Sequence, residues 1–453
     1  MRARLADLWE LAWSGFWFLP GLMVLAATLL AGGAVELDRR LTTDGEHLLP
    51  FLFTGTADAV RTILSTIATA LVTVAALTFS VMMVAISQVA SRLTPRVLQA
   101  FMDDLGNRLV LGGFIGTFAY CLIVLRSVRS ASERGPGFIA PVAVTLAVAL
   151  TLACLLLLVY FFHHSALLLQ ASTIQRRIHR EVLEQVDHLY PDRVGRAASE
   201  PEERPPPRPA GPALQVRAEQ SGFLRRIDEA QLLSVVGADV RLVRVHARIG
   251  TYVGRRAVLA EVWADGEYPD DLEEAIRGAF VVGHERTLHQ DLLFGVKQLV
   301  DIAVKALSPG VNDPTTAEYS LSHLRDIVVL LADRRFPPRL RRGEDAPTLF
   351  WLERPGFADV VAAAFAQIRR AAAEEAHVTG YLLDMLAAVR QHACSDARAD
   401  AVCREVREVL AHLPAAPFTP ADRDFLRAKA EAILAGAEPE EVQRPDDFEN
   451  LPA

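Results

Sequence analysis

Two sets of residues in this 453-residue chain are of types that do chemistry. The first is a run of hydroxyls. Thr62, Thr66, Thr69, Thr73, Ser80, Ser87 and Ser91 fall within about 60° of one another on a helical wheel, at ~100° of rotation per residue. Ala76 and Thr94 lie close to the same stripe, while Leu64, Leu71, Leu77, Val81 and Ile86 fall on the other faces. On an apolar helix such a stripe serves one of two ends. Small hydroxyl residues let helices approach and hydrogen-bond across an interface. Alternatively, several copies of the helix present their hydroxyls to a water-filled path. The readings are compatible, because a pore helix must also pack. No charged residue lies on the stripe inside the apolar run, so a ring of charge to select ions is missing.

The second set is polar and lies far downstream, in GHERTLHQDLLFGVKQLVDIAVKALSPGVNDPTTAEYSLSHL. On a wheel Thr287, Asp291, Gln298, Asp301 and Lys305 share one face, opposite Leu292, Val296, Leu299, Val300 and Ala303. Asp301 and Lys305 have the favourable i, i+4 order, acid first. Ser308-Pro309-Gly310 ends that helix, and Asp313 followed by Pro314 starts the next as N-cap and first residue. This reads either as a capped helical hairpin with a solvated face, or as a buried, hydrogen-bonded site that includes the Asn312-Asp313 turn. His284, Glu285, His289 and Asp291 cluster in eight residues, but the spacing is not that of a His-Glu-x-x-His zinc helix, and no metal site is expected. Cys121, Cys154, Cys394 and Cys403 have neither disulfide-framework nor zinc-ribbon spacing. A nucleophile elbow, a phosphate loop and a dinucleotide fingerprint are also missing, so no enzyme and no cofactor is expected.

The elements that must position these residues begin with four apolar runs, all within the first 162 residues: about 16–35, 63–89, 109–125 and 138–162. Each approaches or exceeds the ~17–20 residues needed to cross a hydrocarbon core. The first is too long for a signal peptide and three more spans follow it. Trp9, Trp13 and Trp17 form an aromatic stripe suited to headgroup depth. Gly112-x-x-x-Gly116 in the third run permits a close crossing, and Pro141 fits the first turn of the fourth. No Asp, Glu, Lys or Arg lies near the middle of a run, which argues against a proton-coupled transporter or a voltage sensor. Arginines flank the N-terminus, the second loop and the segment after the fourth span more densely than the other two loops, which places both termini in the cytoplasm. The second helix, if unbroken over 62–94, is ~50 Å long and overshoots the bilayer. The net charge of −8 gives a nucleic-acid partner no support.

The expected fold is a polytopic α-helical membrane protein with four transmembrane helices and a C-terminal cytosolic α+β region. Its domains are a transmembrane domain over 1–170, a helix and proline-rich linker over 171–212, a small β-module over 213–264, a helical domain over 265–440 and a tail over 441–453. The β-module rests on the alternation of Leu214–Ala218, Val240–His246 and Val258–Val262 between glycines.

Four segments in this order, LTFSVMMVAISQVASRLTPRVLQAFMDD, LGGFIGTFAYCLIVLRSVR, GHERTLHQDLLFGVKQLVDIA and KALSPGVNDPTTAEYSLSHL, resemble a widespread family of bacterial predicted membrane proteins described as a domain of unknown function. The resemblance spans nearly the whole chain. It implies a multi-pass location in the bacterial inner membrane and carries no catalytic residues. The expected function is a homo-oligomeric, channel-like protein with the second span lining a path and the cytosolic region as vestibule or gate. The alternative is a membrane-anchored sensor or scaffold whose cytosolic half binds a ligand or protein partner.

Overall fold

A computed structural model describes residues 17–43, 56–92, 104–129, 138–168, 170–190, 204–235, 239–288, 290–342 and 348–437. Trp9, Trp13, Thr94 and His289 lie outside these residues, as does the side chain of Ser91. The chain divides into two compact units, Met1–Thr173 and Ile174–Ala453.

Among its described residues the first unit holds four helices long and apolar enough to cross a membrane: α1 (Phe18–Thr43), α2 (Ala57–Arg92), α3 (Leu105–Ser127) and α4 (Pro141–Leu168). All four extend past the apolar runs that announce them, because flanking polar residues continue a helix once the apolar stretch has formed it. The third helix is the central one: 61% of its most apolar stretch is buried, against 22% in each of the others. The reason lies partly in its glycines. A Cβ on Gly112 would come within 2.5 Å of Met23 Sδ, and one on Gly116 within 3.3 Å of the Met23 carbonyl oxygen. The Gly-x-x-x-Gly face therefore lets α1 lie directly on the α3 backbone. Tyr120, Cys121 and Val124 of α3 join Ala31, Val35, Val60, Leu64, Ala143 and Ala147 in one core. Leu25, Leu29, Leu152, Leu156 and Val159 point outward, as side chains facing lipid do.

Two acids tie helix ends together. Asp38, near the end of α1 and only 2% exposed, accepts from the backbone N–H groups of Val142 and Ala143, both at 2.9 Å. It thus caps α4 from a different helix, supplying acceptors to donors that the helix itself leaves unmatched. Asp104 caps α3 by accepting from Asn107 N at 3.1 Å, and its Oδ1 lies 2.8 Å from Nε2 of His164 near the end of α4.

The second unit opens on α5 (Ala171–Leu189). The strands and helices that follow are β1 (Leu214–Arg217), β2 (Gly222–Ile227), α6 (Glu229–Val235), β3 (Val240–Val245), β4 (Tyr252–Val253), β5 (Val258–Ala264), α7 (Leu272–Arg277) and β6 (Phe280–Gly283). Next come α8 (Leu292–Ala306), α9 (Pro314–Ala332), β7 (Leu340–Arg342), β8 (Leu349–Leu352), α10 (Phe357–Ala371), α11 (Ala376–Gln391), α12 (Asp396–His412) and α13 (Pro420–Ala435). The strands form a five-stranded sheet in the order β1-β5-β3-β8-β7 and a three-stranded sheet in the order β4-β2-β6.

The expected limits of the β-module need correction. Strands do not stop at residue 264: β6 pairs with β2, and β8 enters from the middle of the helical stretch to lie parallel to β3. An open edge on β3 would leave a row of backbone N–H and C=O groups unpaired, and the Leu-Phe-Trp-Leu segment closes it. Phe350 and Leu352 join Val216, Val243, Leu259 and Ile276 in a shared core. Among the helices, Arg398 is 1% exposed, donates to the Leu331 and Ala332 carbonyls at 3.0 and 2.8 Å, and lies over the rings of Phe336 and Phe357. A cation at the last carbonyls of α9 complements both their lone pairs and the helix dipole.

Candidate functional site

The hydroxyl stripe of α2 faces away from the other spans of its own chain. Val60, Leu64, Ala68, Leu71, Thr78 and Met82 point inward, whereas Thr62, Thr66, Thr69, Thr73, Ser80 and Ser87 are exposed. Packing among the described residues of one chain therefore does not employ the stripe. The threonine hydroxyls donate back into the helix: Thr62 to Asp58, Thr66 to Thr62, Thr69 to Ser65 and Thr73 to Thr69, all at 2.8–2.9 Å. Each donor is thereby satisfied in an apolar setting, and each oxygen keeps acceptor capacity outward. Leu77, Val84 and Met83, also exposed, border the stripe.

In the second unit, Asp291 does not sit on the polar face of a helix. Together with Thr287 it precedes α8, whose first residue is Leu292, and Asp291 caps it by accepting from Phe294 N at 3.1 Å. The wheel misplaces both because a capping residue leaves helical geometry. Arg286 grips the same carboxylate with Nε and Nη2 at 2.8 and 3.0 Å, and lies over the Phe294 ring. Gly250 closes the knot from the β3–β4 loop: its φ is +82°, and a Cβ there would fall 2.1 Å from Asp291 Oδ2. Burial pushes the Asp291 carboxyl above the ordinary carboxylate range, an upward shift that Arg286 only partly offsets. Gln290 adds a second clip, accepting from Ile227 N at 3.0 Å.

The remaining polar candidates do not join this knot. Asp301 forms an ion pair with Lys297 at 2.8 Å, one turn N-terminal to it. The expected Lys305 partner lies one turn on the other side, and its carbonyl accepts from the hydroxyl of Ser308. Gln298 has its Oε1 buried with no partner among the described residues. Asn312 is exposed with φ +47°, a conformation asparagine tolerates better than most residues. Asp313 is exposed and caps α9, accepting from Thr316 N at 3.1 Å, with Pro314 first in the helix.

One cluster was invisible to sequence reasoning. His179 of α5 meets His323 and Asp326 of α9, with their ligand-capable atoms all within 4.8 Å of one another. The imidazole rings lie 4.5 Å apart, tilted by 32°. The only local signal is the i, i+3 spacing of His323 and Asp326; the third member stands far upstream. His284 and Glu285, the residues the sequence did draw together, are both exposed.

Four apolar helices followed by an α+β unit with knotted loops define a polytopic membrane protein, and the comparisons narrow it further. Residues 13–388 match the family described as "Predicted membrane protein (DUF2254)", and the chain belongs to that family. An uncharacterized protein of Mycobacterium tuberculosis, Rv1290c, and one of Mycobacterium bovis, Mb1321c, are each 32% identical over 436 residues, covering 95% of this chain and 81% of the relative. No solved structure matches the chain.

Proposed function

We propose that several copies of this protein assemble in a bacterial inner membrane as a channel-like oligomer. In this reading α2 lines a path between copies, both termini are cytoplasmic, and the C-terminal unit forms a cytosolic vestibule or gate without catalytic activity. One observation carries the reading: the hydroxyl stripe of α2 is turned away from the other described spans of its own chain, which leaves it open to a surface beyond them. Polar residues that stay outward in an apolar helix find partners in a facing helix or in water. The length of α2 adds support. Its 36 residues make ~54 Å, well beyond a ~30 Å hydrocarbon core, which leaves a projecting end to couple to a soluble gate.

The test is current through planar bilayers containing the purified protein, with and without membrane tension. Discrete openings that Ser87→Arg blocks or reshapes support the path. Silent bilayers containing well-folded oligomers would sink it. The second reading, a membrane-anchored sensor or scaffold, is favoured by the hydroxyls that donate into their own helix, because a helix satisfied in this way needs no water. A silent bilayer moves the question to a ligand or protein partner of the C-terminal unit.

A further inference from the structure

We infer that His179, His323 and Asp326 form a site for a transition-metal dication of the zinc class, which clips α5 to α9. Two imidazole nitrogens and a carboxylate oxygen are a recurrent three-ligand set for such ions, with a fourth position left to water or an external ligand. The three ligand atoms lie within 4.8 Å of one another. Bonds of ~2.0–2.2 Å in tetrahedral array need them roughly 3.4 Å apart, so side-chain rotations of about 1 Å close the site.

Three observations independent of the spacing point the same way. First, Nε2 of His179 is buried and has no hydrogen-bond partner among the described residues; the facing Asp326 Oδ2 stands 3.9 Å away, beyond hydrogen-bonding reach. A buried nitrogen without a partner is costly, and a metal ion supplies one. Second, Asp326 is already oriented: Arg325 donates to its Oδ1 at 2.6 and 3.0 Å, which leaves Oδ2 turned to the histidines. Carboxylate ligands are commonly fixed from behind in this way. Third, the helices are pinned beside the cluster, because Gln175 donates to the Thr316 carbonyl at 3.0 Å and to Ser320 Oγ at 2.8 Å. The ligands therefore stand on rigid elements. Two nitrogen ligands are offered against one oxygen, so the site suits a nitrogen-preferring ion and not Ca2+ or Mg2+.

The inference does not depend on the channel reading, since it is tested by binding alone. Full-length protein, freed of any affinity tag and stripped with chelator in detergent, is titrated with Zn2+ and, separately, with Co2+. Wild type is expected to retain one ion per chain through gel filtration, to show the visible absorption of low-coordinate Co2+, and to gain about 5 °C in Tm at saturating Zn2+. His323→Gln should lose all three responses and Asp326→Asn should weaken binding at least tenfold, while His188→Ala, on the exposed side of α5, keeps them. Circular dichroism of each variant separates lost binding from lost folding. If His323→Gln fails to fold, the Asp326→Asn titration decides alone. Wild-type protein that retains no ion, or uptake that is equal in folded wild type and Asp326→Asn, overturns the site.

Discussion

Asp291 shows how one side chain can serve three backbone problems at once. It caps α8, holds Arg286 and fills the space left by Gly250. Removing one partner of a buried, hydrogen-bonded ion pair leaves the other charge uncompensated, a loss of about 3 kcal/mol or more. Asp291→Ala should therefore lower the unfolding midpoint of the C-terminal unit in a denaturant titration by an amount of that size, whereas Asp313→Ala, at an exposed cap, should cost about 1 kcal/mol. Equal effects would mean that the Arg286 contact contributes nothing. The two caps were not equally readable. Asp313 announces itself because Asp-Pro after Ser-Pro-Gly is a purely local signal. Asp291 looked like a face residue because its partners, Gly250 and Arg286, come from loops that no helical wheel represents. His179, His323 and Asp326 were hidden for the same reason: their meeting depends on how α5 lies against α9, a tertiary fact.

At the level of elements, the spans were legible and their contacts only partly so. A run of about 20 apolar residues has one cheap solution in lipid, a helix, so composition alone reveals it. The Gly112-x-x-x-Gly116 pattern named a close crossing without naming the partner, which is α1. The reach of Asp38 across to the start of α4 had no signal, since the two lie on different helices. A prediction follows for the α1–α3 contact. Gly112→Leu must displace Met23 and the Pro20 backbone, whose Cα lies only 3.1 Å from the position of a Cβ. Overpacking of this kind costs about 1–3 kcal/mol. Thermal unfolding in detergent should show a lowered midpoint for Gly112→Leu, and little change for Leu156→Ala on the exposed side of α4. A Gly112→Leu protein as stable as wild type would show that α1 does not lie on α3 as described. The strands were least legible. Leu349–Leu352 is four residues of apolar sequence inside a helical region, too short to carry a period of its own.

For the molecule as a whole, the consequence is that the β-module cannot be cut out at residue 264. Its central strand β3 has β5 on one side and β8 on the other, and β2 is flanked by β6. A fragment of residues 213–264 lacks β6, β7 and β8 and should show no cooperative unfolding by circular dichroism, whereas residues 174–453, one compact unit, should unfold cooperatively. A cooperative transition in the short fragment would mean that β8 is an ornament on a sheet already complete. The same topology sets a timetable for synthesis. While the ribosome is making α8 and α9, the residues of β3 have emerged and those of β8 have not, so a β3 that pairs early with β5 has an open second edge for any extended segment that passes, including the same strand on a neighbouring nascent copy. The arginines that punctuate it, Arg241 and Arg244 between valines and Leu242, are the kind of residue that deters such pairing. Emergence of Leu349–Leu352 ends the interval by seating the chain's own strand, so the late arrival of four residues decides whether crowded copies pair wrongly or fold apart before they meet.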